Sequence, residues 1–358
     1  MKLSFILLPL IYICANGYLY IRTLQAISCL PLWSKVILSI FFWIAAFALF
    51  IAIGLRESNL PGGLIQTFFS IGSVWIVFLL YGVLFLAATD LIRLAVPLRG
   101  YSICYALTLT SALLVYGYIN YLNPRVEHLD ITLESKTDSQ MRIVAVSDIH
   151  LGYGTSVKML KKYVQMINSQ HPDIVLITGD LIDNSIKPII EHPYDSELAK
   201  IDAPLGIYMV PGNHEYISGI DSVVEYLSHT NITLLRDSIV SLPNSIQIIG
   251  RDDRSNVRRK PLGHLLAEAD SERPAIVLDH QPYKLAKADS LKVDLLLCGH
   301  THHGQVFPFN LITDRLYEQS HGYRKWSYSH IWVSSGLSLW GPPFRIGTQS
   351  DLAVIDVH

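Results

Sequence analysis

The chain has 358 residues, of which 50% are apolar and 16% charged, and its mean hydropathy is +0.33. A formal net charge of -2 excludes a global field that would draw nucleic acid. The four cysteines, Cys14, Cys29, Cys104 and Cys298, give neither a disulfide framework nor a thiolate metal site, and Cys298 reads as a small buried core residue.

The apolar excess lies at the start of the chain. Runs at 3–21, 36–55, 64–89 and 103–122 are almost free of charge. Each reaches the roughly 20 residues that span about 30 Å of hydrocarbon as a helix. Short linkers with charges and breakers separate them, at Arg22 to Lys35, 56–63 and 90–99. Four consecutive runs of this kind are unusual for a soluble core. A cleaved leader over the first run is the rival reading, since Lys2 precedes it, but no small-x-small cleavage site follows. We expect a four-helix, multi-pass membrane region over 1–122 and a globular domain over 124–358. Arg22, Lys35, Arg93 and Arg99 fall on one side of such a membrane, and Lys2, Arg56 and Arg125 on the other with the globular domain. That bias leans towards an extracytoplasmic globular domain. Tyr116, Tyr118 and Tyr121 suit an aromatic belt where the fourth run leaves the bilayer.

The globular part opens with a loosely alternating strand at 126–133 and a polar turn at 135–140. A buried strand follows at 142–147. Residues 157–168 then have apolar positions at helical spacing behind Ser156, a fitting N-cap. Further strands are expected at 173–178, 205–210, 245–250, 275–279, 293–298, 331–334 and 352–357, and helices at 194–202, 220–229, 261–269 and 283–289. Strand and helix alternate early, so part of the sheet should be parallel.

Polar, metal-capable residues recur just past the ends of these apolar strands, the edge where open α/β folds bind ligands. In order they are Asp148-Ile-His150, Gly179-Asp180-Leu-Ile-Asp183, Gly212-Asn213-His214-Glu215, Asp279-His280 and Gly299-His300-Thr301-His302-His303-Gly304. The donors are carboxylate, imidazole and amide, a set for hard-to-borderline divalent ions. Residues i and i+2 of an extended segment point the same way, so Asp148 and His150 can grip one ion together. His300 and His302 either share a face or are split between two ions by a turn. His303 reads as a neighbour of the motif rather than a ligand. Each block alone is a weak signal; five in order at strand ends are not.

The series D-x-H, G-D-x-x-D, G-N-H-E, a lone His and G-H-x-H resembles the calcineurin-like metallophosphoesterase family, over about 142 to 305, and in particular its bacterial members with N-terminal transmembrane helices. The resemblance implies a four-layer αββα sandwich. It implies that Asp148, His150, Asp180 and His302 hold one metal, and that Asp180, Asn213, His280 and His300 hold a second. His214 would stay off the metals and act on the phosphate. Asp183 and Glu215 would orient ligands, and Arg345 is a further candidate to support the site or meet substrate. Two ions about 3.5–4 Å apart lower the pKa of a bridging water and hold phosphate oxygens. The expectation is therefore hydrolysis of a phosphomonoester or phosphodiester by a bridging hydroxide, with manganese as the leading metal and iron, zinc or magnesium as others. No G-x-x-x-x-G-K and no C-x5-R motif is present, which argues against nucleotide-driven transfer and a phosphocysteine route.

The run 251–260, with five basic residues, reads as a solvated loop, or else as a contact for anionic lipid or polyphosphate. Residues 340–345 read as packing, or else as a wall of the site's mouth. The membrane region points to a membrane-associated or lipid-linked substrate. The alternatives are a tethered phosphodiesterase for soluble nucleotide-type substrates, and a non-catalytic, metal-stabilised interaction domain.

Overall fold

In a computed structural model, residues 4–98, 100–133, 140–243 and 246–358 are described. The expected turn at 135–140 and Ser245 fall wholly or mostly outside them. Two compact units emerge: Met1–Ile119 with Gly341–Phe344, and Asn120–Trp340 with Arg345–His358.

The first unit is built on α1 (Ser4–Ala26), α2 (Leu32–Leu55), α3 (Gly62–Ala95) and most of α4 (Ser102–Tyr121). All four are long and apolar enough to cross a membrane. Their outward faces are apolar too, with Leu32, Trp33 and Phe41 well exposed. Water would oppose such a surface and hydrocarbon would not. Small residues bring backbones close: a Cβ on Gly72 would lie 2.0 Å from the Leu49 amide nitrogen, so α2 and α3 touch main chain to main chain there. Several buried polar groups are paired. The Asn16 side chain accepts from Trp75 Nε1 at 3.0 Å and donates to the Tyr12 carbonyl at 2.9 Å. The Asp90 carboxylate accepts from Tyr18 Oη at 2.6 Å and from Arg22.

The second unit has two six-stranded sheets. The first runs β1-β12-β2-β3-β4-β5, from β1 (Arg125–Ile131), β12 (Asp351–Val357), β2 (Met141–Val146), β3 (Ile174–Ile177), β4 (Ile207–Met209) and β5 (Ile232–Leu234). The second runs β10-β11-β9-β8-β7-β6, from β10 (Gly322–Lys325), β11 (His330–Val333), β9 (Leu295–Cys298), β8 (Ala275–Leu278), β7 (Gln247–Gly250) and β6 (Ser238–Ser241). The strands β2 to β5 are parallel, as are β7, β8, β9 and β11; antiparallel pairs are β12–β2, β6–β7 and β10–β11.

Side-chain alternation explains the layering. In β2, Ile143 and Ala145 join Ile174, Leu176, Ile248, Ile276, Leu297 and Trp332 in the core between the sheets. Val144 and Val146 point the other way, with Val175 and Ile177, onto Leu160, Val164, Leu198 and Leu227 of the helices outside. Ile249, Val277, Cys298 and Ile331 do the same on the far face, against Leu265 and Leu285. Both faces of the central strands are buried, which is why they read as unbroken apolar runs rather than an alternation. The result is the four-layer αββα sandwich expected.

The helix α5 (Val157–Asn168) has the predicted limits, and its Ser156 cap accepts from the Met159 amide. The short strands β5, β6 and β10 were not anticipated, nor the helices α6 (Lys187–Glu191), α8 (Asn213–Ile217) and α12 (Phe309–Leu316). Tyr121 does not join an aromatic belt: it is buried, with its hydroxyl 3.1 Å from that of Ser338. Removing buried leucine at the inter-sheet core should be costly. Leu297→Ala should lower unfolding free energy by about 2–5 kcal/mol, whereas Val257→Ala on the surface should leave the urea midpoint of the detergent-solubilised protein unmoved.

Candidate metal centre and active site

The five motif blocks all follow C-terminal ends of parallel strands, three from the first sheet and two from the second. Asp148 and His150 follow β2, Asp180 and Asp183 follow β3, and Asn213 to Glu215 open α8 after β4. His280 follows β8, and His300 to His303 follow β9. The two sheets thus bring their polar ends to one place. Among the described residues, three groupings converge there: Asp148, His150 and His302; Asp180, His280 and His300; and His150, Asp183 and His214.

The distances are short. His302 Nε2 lies 3.1 Å from His150 Nε2 and 3.5 Å from Asp148 Oδ1. His280 Nε2 lies 3.2 Å from both Asp180 Oδ2 and Asn213 Oδ1. Asp183 Oδ1 is 3.0 Å from His214 Nδ1 and 3.5 Å from His150 Nδ1.

His280 tests whether these groups fit metal ions. Its Nδ1 sits 2.7 Å from the Thr178 carbonyl oxygen, which can only accept, so Nδ1 carries the hydrogen. The neutral ring then aims the Nε2 lone pair at the Asp180 carboxylate and the Asn213 amide oxygen. Three acceptors face one another, and a cation among them satisfies all three. The pairing of Nδ1 with a backbone carbonyl is also the usual way a ligating imidazole is held. The residues therefore fit divalent ions bound through nitrogen and oxygen.

Titration shifts point the same way. Burial disfavours a charged His280, but the Asp180 charge outweighs it and raises its pKa well above the ordinary histidine value. Burial likewise opposes charge on His150, yet Asp148 and Asp183 push it up to about 10. Buried carboxylates here demand positive charge, whether from protons or metal. His300 and His302 go the other way: burial pulls them down to about 4 and about 3, leaving neutral rings with free lone pairs.

The backbone is bent to this purpose. Asp148, His150, Asp180, His300 and His302 all have left-handed φ, between 48° and 75°. That conformation costs about 1–2 kcal/mol per non-glycine residue and concentrates at functional sites. Two glycines make room. A Cβ on Gly212 would lie 2.1 Å from Asp180 Oδ1, and one on Gly299 would lie 1.8 Å from Ser147 Oγ and 2.5 Å from Asp148 Oδ2.

The buried Glu215 holds the turns together. Its carboxylate accepts from the amides of Asp180 and Ile182 at 3.0 Å and of Gly212 at 2.6 Å. Burial and then the Asp180 charge push its pKa up to about 7. Arg345 is fully buried and donates to the carbonyls of His302, Ser335 and Gly336. It braces the His302 loop from behind, a role the sequence could not distinguish from substrate contact. His214 is 12% exposed at its side chain, with the His150 ring 4.6 Å and the Trp340 ring 6.1 Å from its own.

The 251–260 run is more than a solvated loop. Arg251 and Arg259 both turn inward onto the Asp279 carboxylate. Arg254 lies 4.0 Å over the Tyr283 ring, which meets Tyr317 at 5.1 Å; Tyr317 in turn sits 6.3 Å from His300.

The family model for calcineurin-like phosphoesterases matches residues 141–304. A Campylobacter jejuni protein named as an uncharacterized metallophosphoesterase is 30% identical, with 99% of this chain and 97% of that protein covered. A Helicobacter pylori metallophosphoesterase is 32% identical over 66% of this chain and 65% of its own length. A Danio rerio protein named "Transmembrane protein with metallophosphoesterase domain" is 32% identical over 70% of this chain and 61% of its own length. The chain belongs to the calcineurin-like family of metallophosphoesterases, whose members use divalent metal ions to hydrolyse phosphoesters.

Two substitutions probe the scaffold without touching a donor atom. Glu215→Gln leaves at least one buried amide opposed by an NH2 group, so unfolding free energy should fall by about 1–3 kcal/mol. Gly212→Ala should displace Asp180 and lower metal affinity about 10–100-fold, the scale seen when a ligand loses its support. Denaturation midpoints and metal titrations of the full-length protein check each in turn.

Proposed function

We propose that residues 1–122 are a multi-pass membrane anchor and residues 124–358 a dinuclear phosphoesterase domain acting on a lipid-linked or otherwise membrane-associated phosphoester. The observation that carries the hydrolytic reading is Asp180, whose buried carboxylate faces imidazoles brought from both sheets. In this reading Asp148, His150, Asp180 and His302 hold one ion, and Asp180, Asn213, His280 and His300 hold the other. The donor set suits manganese, with iron, zinc and magnesium compatible. When bound, the ions supply positive charge for phosphate oxygens and an acidified water.

The chain's own groups do the rest. Asp180 is the shared donor, and its second oxygen is held by the His214 amide at 2.9 Å. His280 and His150 are kept in register by Thr178 and Asp183. His214 is the proton donor to the leaving oxygen: Asp183 takes its Nδ1 side, so the proton leaves from Nε2. The Trp340 ring lies 6.1 Å from that of His214.

The lipid-linked reading is supported by α12, directly after the His302 loop. Phe309, Leu311, Ile312 and Leu316 are exposed along it, and Phe307 just before it. A short helix with this much bare apolar surface suits insertion among acyl chains. The bias of basic residues in the first unit supports an extracytoplasmic domain.

In vesicles carrying a lipid phosphate and Mn²⁺, the full-length protein should release product. Asp180→Asn should reduce release to background, and His214→Ala should lower kcat by about 10²–10⁴-fold. Turnover surviving Asp180→Asn would overturn the dinuclear mechanism. Leu311→Asp with Leu316→Asp should lower turnover of the vesicle substrate about tenfold or more. Hydrolysis of bis(p-nitrophenyl) phosphate should be untouched. An equal response of both substrates would favour the soluble nucleotide-type reading.

A further inference from the structure

Beside the proposed pair of ions lies a third cluster that shares no donor with them. His303, Asp314 and His321 each offer one ligand atom, and the three atoms lie within 4.8 Å of one another. They come from separate segments: the loop after β9, helix α12 and the turn before β10. His303 Nε2 is 3.3 Å from Asp314 Oδ1. Ligands bound at about 2.0–2.2 Å around a tetrahedral ion are separated by roughly 3.3–3.5 Å. The imidazole rings of His303 and His321 stack with centroids 3.5 Å apart and planes 15° apart, so one ring has to rotate out of the stack for both in-plane lone pairs to meet one ion.

The surroundings look built. The Ser320 hydroxyl donates to Asp314 Oδ1 and lies 3.2 Å from His321 Nδ1, so one side chain orients two of the donors. Ser320 is itself fixed through its carbonyl, which accepts from Thr301 Oγ1, and Thr301 Oγ1 accepts from the His303 amide at 3.1 Å. His303 adopts a left-handed φ of 47°, which a histidine adopts at a cost. Its buried Nε2 faces the Asp314 carboxylate without a well-aligned hydrogen bond, and an ion between the two would satisfy both atoms.

We propose that His303, Asp314 and His321 bind a mononuclear divalent transition ion, of which zinc is the best match in softness and geometry, with water completing the fourth position. Such an ion ties the loop carrying His300 and His302 to α12. It thereby couples the metal centre to the helix whose apolar face is bare.

The test is metal counting on the full-length protein in detergent, saturated with Zn²⁺ and then desalted. His321→Ala and Asp314→Asn should each bind one ion fewer per chain than the unsubstituted protein. Asp314 is well exposed, so its replacement by the isosteric amide should leave folding intact; matched circular dichroism spectra check this. Asp180→Asn should keep the third ion, and the Asp180→Asn, His321→Ala double variant should lose it. Ion counts unchanged by both His321→Ala and Asp314→Asn would overturn the site. Because the readout is the difference made by His321 and Asp314, a failure of the dinuclear assignment shows up separately, in the Asp180→Asn count.

Discussion

The catalytic unit is organised around three carboxylates that water barely reaches: Asp148, Asp180 and Asp183 are at most 3% exposed. An unpaired charge in that setting costs several kcal/mol. Part of the compensation comes from the backbone, with the His300 amide on Asp148 and the His214 amide on Asp180. Part comes from imidazoles. Those donors come from both sheets, so no single layer can meet the charge alone. The sandwich is therefore tied to its site, because closing the two sheets on one another also closes the ring of donors.

This explains where strain is tolerated. Five residues expected to ligate sit in left-handed backbone, and together they cost on the order of 5 kcal/mol or more. That is comparable with the net stability of an ordinary domain. It persists because the turns are fastened from behind. Glu215 collects three amides, Arg345 collects three carbonyls, and the inter-sheet core anchors the strands that deliver each turn. Neither Glu215 nor Arg345 needs to touch an ion to matter for one.

Much of this was legible in the sequence, for a specific reason. Strands buried on both faces give unbroken apolar runs, so β2, β3, β8 and β9 announced themselves, and the polar residue after each run marked the functional edge. The four apolar helices were legible by length and composition. Short edge strands such as β5, β6 and β10 were not, because three or four residues carry no period and their pairing partners are distant in sequence. The role of Arg345 was hidden for the same reason: its acceptors are carbonyls, which no residue type encodes. His303 shows the limit most clearly. One position from a ligand, it reads as a bystander, and only the left-handed turn and the approach of Asp314 and His321 give it a chemistry of its own.

The two kinds of information in the chain separate cleanly. Strand ends carry the candidate metal donors, which are buried and fixed in part by hydrogen bonds to neighbouring main chain. The segments between them carry the more exposed side chains around the site. Around His300 these present rings and a guanidinium, through Tyr317, Tyr283 and Arg254. Beyond His302 they present the bare apolar side chains of α12. A phosphate whose substituent is both polar and acylated would meet both surfaces at once, whereas a small soluble diester would meet neither fully. That difference, together with four helices long and apolar enough to cross a membrane on the same chain, is what the proposal of a membrane-associated phosphoester rests on.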